Sequence, residues 1–173
     1  MMLKKMRATF SGELLMRAAS LGLSQKEILT LASIIEKEAI TDDERPLISA
    51  VYHNRLKKKI RLQADPTSIY GVKRFSEKIT LTDLKQKTPY NTYMINGLPP
   101  GPIASPGIKS IMAALYPADV PYLFFVSNND GTHRFSETAR EHEAAVRAFR
   151  GKKLREKQEK TRNHEGTDQR ETS

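Results

Sequence analysis

Ser24-Gln25-Lys26-Glu27-Ile28-Leu29-Thr30-Leu31-Ala32-Ser33-Ile34-Ile35-Glu36-Lys37-Glu38-Ala39 is the stretch on which the fold turns. Ser24 followed three residues later by Glu27 is a capping box, in which each side chain satisfies a backbone N–H at the start of a helix. Ile28, Leu31, Ala32, Ile35 and Ala39 then recur at helical spacing and predict one apolar face. Glu36 and Glu38 fall on the border of that face, with Lys37 on the opposite side. Residues two apart on a helix point about 200° away from each other, so the two carboxylates cannot flank a single bond. At most one of them does acid–base chemistry, and periodicity does not choose between them.

Outward from this helix the pattern stays mostly helical. On the N-terminal side Leu21-Gly22-Leu23 reads as a helix stop, preceded by a basic, Met-rich segment whose Phe10, Leu14, Leu15 and Ala18 have helical spacing. On the C-terminal side a helix is predicted over about 43–57, capped by Thr41 with Glu44 and carrying Pro46 in its first turn. Its Ile48, Val51, Tyr52 and Leu56 are expected to face inward. Residues 60–71 predict a strand or loop broken by Asp65-Pro66, and 80–87 a short helix. Residues 96–107 hold four Pro and three Gly, which makes a stiff loop. Ser105-Pro106 predicts a helix start, with Pro117 ending that helix.

Tyr122-Leu123-Phe124-Phe125-Val126 is rich in strand formers. Asn128-Asn129-Asp130-Gly131 is a turn, and His133 to Phe135 returns as a partner strand. A last helix over 138–150 packs through Ala145, Val146 and Phe149, and a polar tail follows that is expected to be disordered with at most a frayed helical start. No strand–helix alternation recurs. The expected class is α+β, with helices packed on a small, mainly antiparallel sheet.

Composition narrows the function. The chain has 173 residues, 38% hydrophobic and 28% charged, with 29 Lys and Arg against 20 Asp and Glu. Residues 151–173 carry seven basic and five acidic residues, so most of the formal +9 lies on residues 1–150. A basic body favours an anionic polymer or surface. The longest apolar run, Ile111 to Tyr116, is too short to span a bilayer, and no apolar h-region follows the basic N-terminus. Cysteine is absent, which excludes disulfides, a Cys nucleophile and Cys-ligated zinc.

The chemistry-bearing residues are few. A carboxyl at the edge of an apolar face is partly desolvated, which suits a general acid; the same position also suits an ordinary boundary ion pair. His142 shares a helix face with Ala145, Val146 and Phe149 and reads as a core or boundary histidine. His53 and His133 lie in other elements, and no metal-binding spacing is present, so no metal and no cofactor are expected. Lys57-Lys58-Lys59, with Arg55 and Arg61, reads as a solvated helix end in preference to a phosphate site. Tyr90-Asn91-Thr92-Tyr93, followed by Gly97-Leu98-Pro99-Pro100-Gly101, places aromatic and amide groups on a stiff loop, as a sugar-binding cleft requires.

These residues carry a resemblance. Leu31 to Glu38 is similar to the LASIVEKE segment of the bacterial YceG-like proteins, the MltG endolytic murein transglycosylases. His53-Asn54-Arg55-Leu56 resembles that family's NRL, and Arg61 to Gly71 resembles its RLQxDPTxIYG. Thr88 to Tyr93 and Gly97 to Gly107 resemble its TPYNTY…GLPPGPIxxPG. The likeness runs over roughly 22–150 as several ordered blocks. It implies an N-terminal linker or helix at 1–21, a catalytic domain at 22–150 and a charged tail at 151–173. Family members usually begin with a cytoplasmic piece, one spanning helix and a LysM-like subdomain, none of which is recognised here. Two local departures are Ala39, where Thr or Gly often follows the second glutamate, and the Lys57–Lys59 run, where Gly is often found.

The resemblance also implies a reaction. Such enzymes cut the β-1,4 bond between N-acetylmuramic acid and N-acetylglucosamine and leave a 1,6-anhydro end, because the muramic C6 hydroxyl is the nucleophile. One glutamate then suffices as acid and base, and the family's motif places it at Glu38, with Glu36 as the fallback. Gln63, Asp65, Tyr90, Asn91, Thr92 and Tyr93 are the expected cleft-wall residues. The implied partners are peptidoglycan glycan strands and peptidoglycan synthases, outside the cytoplasmic membrane, with membrane contact only through an anchor that this chain lacks. Nucleic acid is not an expected partner. The rival reading is a non-catalytic module that binds glycan or nucleic acid.

Overall fold

In the computed structural model, which describes residues 11–168, the capping box at Ser24 forms as expected. The Glu27 carboxylate accepts from the Ser24 N–H at 2.8 Å, and the Ser24 hydroxyl accepts from the Glu27 N–H at 3.2 Å. The helix it opens, α2 (Gln25–Glu38), follows a short helix α1 (Gly12–Ser20). Phe10 lies outside the described residues, and of the other apolar positions predicted for this segment Ala18 is buried.

The single apolar face expected of α2 is too narrow a description. Ile28, Leu31, Ala32, Ile34 and Ile35 are all fully buried, and so are Thr30 and Ser33. The helix is the centre of its unit and packs on α1, α3 (Arg45–Lys57), α4 (Asp65–Ile69) and α6 (Ile108–Leu115). Its two buried hydroxyls are satisfied within the helix, Thr30 donating to the Lys26 carbonyl and Ser33 to the Thr30 carbonyl. Ser33 also accepts from the Ile103 N–H at 3.0 Å, which pins the Pro- and Gly-rich loop to the helix. Ala39, expected on the apolar face, has extended backbone and ends the helix instead.

Three other expectations are corrected. The 43–57 helix begins at Arg45, after a 3-10 turn (Asp42–Glu44); Thr41 makes no capping bond, while Pro46 does sit in the first turn. Asp65-Pro66 opens α4 and does not break a strand, because Pro at a first helical turn has no N–H to lose. Helix α6 starts at Ile108 with Gly107 as its N-cap, so Ser105-Pro106 belongs to the loop before it. The short helix within 80–87 is present as α5 (Leu81–Leu84), with a capping box between Thr80 and Asp83.

The chain forms two compact units, Met1–Leu123 and Phe124–Ser173. The second is an antiparallel hairpin, β1 (Phe124–Ser127) and β2 (His133–Ser136), with α7 (Ala139–Asp168) packed on both strands. Phe124 pairs with Ser136 and Ser127 with His133, and Asn129 and Gly131 supply the left-handed turn residues. His142 stacks on Phe124 at 5.1 Å, the boundary role its spacing predicts. The architecture is α+β with a two-stranded antiparallel sheet. Beyond Gly151 the helix runs on to Asp168, with residues 152–162 all exposed. Lys, Arg, Glu and Gln there are good helix formers but carry no apolar stripe, so packing contributes nothing to this part.

Candidate active site

The first unit carries a cleft of about 580 Å³ lined by Glu36, Lys37, Glu38, Asp65, Pro66, Ile69, Phe75, Ser76 and Ile79. Its floor is the C-terminal turn of α2 and its walls come from α4 and the segment that follows. Both glutamates of the pair reach the cleft, and their surroundings separate them.

Glu36 is tied down. It accepts from the Gly107 N–H at 3.2 Å, from the Ser110 hydroxyl, and from the Arg45 guanidinium at 3.3 Å. Burial alone would raise its pKa. The Ser110 hydroxyl, the Gly107 amide and the Arg45 and Lys37 cations outweigh that and hold it below the ordinary glutamate value. Glu36 is an ionised anchor between α2 and the start of α6.

Glu38 has the opposite environment. It is the last residue of α2, where the helix dipole disfavours a negative charge. Burial of the carboxyl, followed by the charge on Asp65, pushes its pKa up to about 8, against partial offsets from the Tyr52 hydroxyl and the Asp65 backbone. Tyr52 Oη donates to Glu38 Oε1 at 3.1 Å and fixes the carboxyl plane. The outcome is a protonated carboxylic acid at neutral pH, held in one orientation at the bottom of an open cleft. Such a group can donate a proton and afterwards accept one.

Asp65 faces Glu38 from the N-terminus of α4 and accepts from the Tyr93 hydroxyl. Burial and the Asp65 charge keep the Tyr93 hydroxyl protonated, so it serves as a permanent donor. Asp65 and Tyr93 are therefore brought together beside Glu38. Gln63 is exposed and lies outside the cleft lining; its backbone is left-handed (φ 50°) and its amide oxygen accepts from Arg55 at 3.4 Å. Tyr90 is half-buried behind the cleft, its ring 4.6 Å from that of Tyr70.

Asn91 and Thr92 face the interior. The Asn91 amide donates to the carbonyls of Asp83, Leu84 and Gln86 at 3.4, 3.1 and 2.7 Å. Thr92 Oγ1 lies 2.7 Å from Thr67 Oγ1 and accepts from the Ala64 N–H at 2.9 Å. Both side chains are fully buried, so they set the position of the wall without lining it.

The residues that sequence reasoning missed fall into two groups. Phe75, Lys37, Pro66, Ile69, Ser76 and Ile79 line the cleft, and nothing in their spacing marks them out. The His53-Asn54-Arg55 run is the second group, and its work is scaffolding. His53 Nε2 bonds the Ala114 carbonyl, Asn54 donates to the carbonyls of Val120 and Tyr122, and Arg55 donates to those of Arg61, Leu62 and Leu123. Arg55 is 7% exposed and spends its guanidinium on these carbonyls, so it is not presented to a phosphate, while the exposed Arg61 donates to the Tyr93 carbonyl. Among the described residues no group of three or more His, Asp or Glu could hold a metal ion, and no helix is long and apolar enough to cross a membrane.

Known proteins share this arrangement of sequence. The chain is 42% identical over 127 residues to an endolytic murein transglycosylase of Bacillus subtilis (strain 168), a match covering 73% of this chain and 35% of the relative. It is 30% identical over 141 residues to an endolytic murein transglycosylase of Streptococcus pneumoniae serotype 2 (strain D39), covering 78% of this chain and 26% of the relative. The chain thus spans about a quarter to a third of the length of these curated relatives. Among solved structures, a crystal structure of a yceG-like protein from Listeria monocytogenes superposes with a TM-score of 0.70 at 43% identity, over 77% of this chain and 43% of the other. The family model described as YceG-like matches residues 1–148, most of the sequence, and the chain belongs to that family.

Proposed function

We propose that this chain carries the reacting centre of a peptidoglycan lytic transglycosylase, with Glu38 as its acid and base. The observation that carries the reading is the contrast within one cleft between an anchored, ionised Glu36 and a protonated Glu38 fixed by Tyr52. The names of the 42% and 30% identical relatives support the reaction class.

The steps balance with one carboxyl. Glu38 gives its proton to the glycosidic oxygen as the bond from the muramic C1 breaks. The muramic C6 hydroxyl attacks C1, and its proton passes to the Glu38 carboxylate. The enzyme ends as it began, protonated, and the sugar closes as a 1,6-anhydro ring. No water enters. Positive charge develops at C1 in the transition state, and the Asp65 carboxylate, oriented by Tyr93, is the group in the cleft that would stabilise it. The basic body of the chain suits a polymer bearing peptide carboxylates. An extracytoplasmic setting, termination of glycan strands and cooperation with peptidoglycan synthases belong to the same proposal.

Hydrolysis is the second reading, because Asp65 provides a second carboxyl in the cleft. Mass spectrometry of peptidoglycan incubated with the chain and with Glu38→Gln separates the two. New 1,6-anhydro ends from the parent, reduced at least ~100-fold in the variant, are expected for loss of a general acid. Reducing ends from the parent would overturn the transglycosylase reading and move Asp65 to the activation of water.

A further inference from the structure

One wall of the cleft is a flat apolar surface with a cation on it. Phe75, 38% exposed, lines the cleft opposite the end of α2. The Lys37 ammonium lies 4.5 Å from the centre of its ring. Behind Phe75 the aromatic rings form a row: Tyr70 stacks at 6.5 Å and 22°, and Tyr90 meets Tyr70 at 4.6 Å. The segment bearing Phe75 is held to the unit by Lys73, whose ammonium bonds the buried Asp83 carboxylate at 2.7 Å. The Lys73 and Thr80 hydrogen bonds hold the Asp83 pKa down to about 2, so the anchor is permanent at working pH. This aromatic surface is therefore braced from behind and fixed at its base.

We propose that Phe75 and Lys37 form a saccharide subsite next to Glu38, reading both the sugar and the peptide attached to it. A pyranose presents a C–H face that matches an aromatic ring. A muramic residue also bears a peptide ending in carboxylate. With no ligand, the ammonium rests over the ring by cation–π attraction. When a sugar takes the ring face, the flexible four-carbon stem of Lys37 carries the charge aside to the peptide carboxylate. Tyr90 and Tyr70 are positioning residues that keep Phe75 upright. This inference rests on peptidoglycan being the substrate and adds to that reading a preference for peptide-bearing strands.

Binding of undigested glycan strands to the Glu38→Gln chain by calorimetry provides the test, with two strand preparations, one bearing stem peptides and one stripped of them by an amidase. Adding Phe75→Ala is expected to weaken binding of both preparations by roughly tenfold. Phe75→Leu keeps the bulk but lacks the flat face, and is expected to weaken both comparably. Phe75→Trp should retain affinity. Adding Lys37→Met, which keeps the stem and removes the charge, should weaken only the peptide-bearing strands. Full affinity in Phe75→Ala or Phe75→Leu would overturn the platform. Equal loss on both strands in Lys37→Met, or no loss, would overturn the peptide contact. These readouts precede chemistry, so they stand apart from the product test: reducing ends would sink the transglycosylase reading and leave the subsite standing, whereas anhydro ends with unimpaired binding by Phe75→Ala would do the reverse.

Discussion

Glu36 and Glu38 are two positions apart and differ in what the rest of the chain brings to them. Glu36 meets Arg45, Gly107 and Ser110, while Glu38 meets Tyr52 and Asp65. Four of these five partners are more than ten residues away in sequence, which is why helical periodicity finds the pair and cannot rank its members. The raised pKa of Glu38 has a consequence for stability. Its folded value of about 8 stands above the ordinary glutamate value of 4.5, so between those limits the folded protein holds a proton that the unfolded chain has released. Stability therefore falls as pH rises through this window and levels off above about pH 8. Glutamine has no proton to lose and still accepts from Tyr52. Glu38→Gln is expected to match the parent near pH 4.5 and to exceed its stability at pH 8 by on the order of 1–3 kcal/mol. Urea unfolding of both chains at several pH values checks this; parallel curves would mean that Glu38 titrates near its ordinary value.

At the scale of elements, local signals were legible and long-range ones were not. The capping box at Ser24, the short helix after Ile79, the hairpin turn and the Pro117 stop depend on neighbours within a few residues, and a sequence displays such neighbours directly. The strand or loop break expected at Asp65-Pro66 and the burial of residues 30–35 of α2 on every side depend on what packs against them. Tyr90-Asn91-Thr92-Tyr93 shows both limits. Its aromatic and amide content suggested a sugar-facing wall, yet only the two tyrosines serve the cleft, Tyr93 through Asp65 and Tyr90 from behind Tyr70. Asn91 spends its amide on three carbonyls around the end of α5, and its side-chain oxygen accepts from the Tyr93 N–H at 3.0 Å. Asn91→Ala leaves those buried groups without partners and is expected to cost about 2–4 kcal/mol. The loss should appear as a lower urea midpoint. A change below about 1 kcal/mol would show that water or a shifted backbone replaces the amide.

For the whole molecule, stability should be unevenly distributed along the chain. The first unit is built on fully buried apolar side chains of α2 and α3, including Ile28, Leu31, Ile34, Ile35, Ile48 and Tyr52, each worth about 1.5–3 kcal/mol on burial. In the second unit α7 carries its packing residues, Ala145, Val146 and Phe149, within its first three turns, and past Gly151 its described side chains are solvent-exposed. The ion pairs there, such as Lys152–Glu156 at 4.0 Å, are exposed i,i+4 contacts of little energetic consequence. A chain ending at Arg150 therefore loses charge and length but no core. Its melting temperature is expected to stay within about 2 °C of the parent's, since losses of a few tenths of a kcal/mol shift a domain of this size by no more. Its helical circular dichroism should fall only by the share that residues 151–168 contribute. A drop of 5 °C or more would mean that the polar extension of α7 packs against the body of the protein, and the view of it as a solvated helix would have to be abandoned.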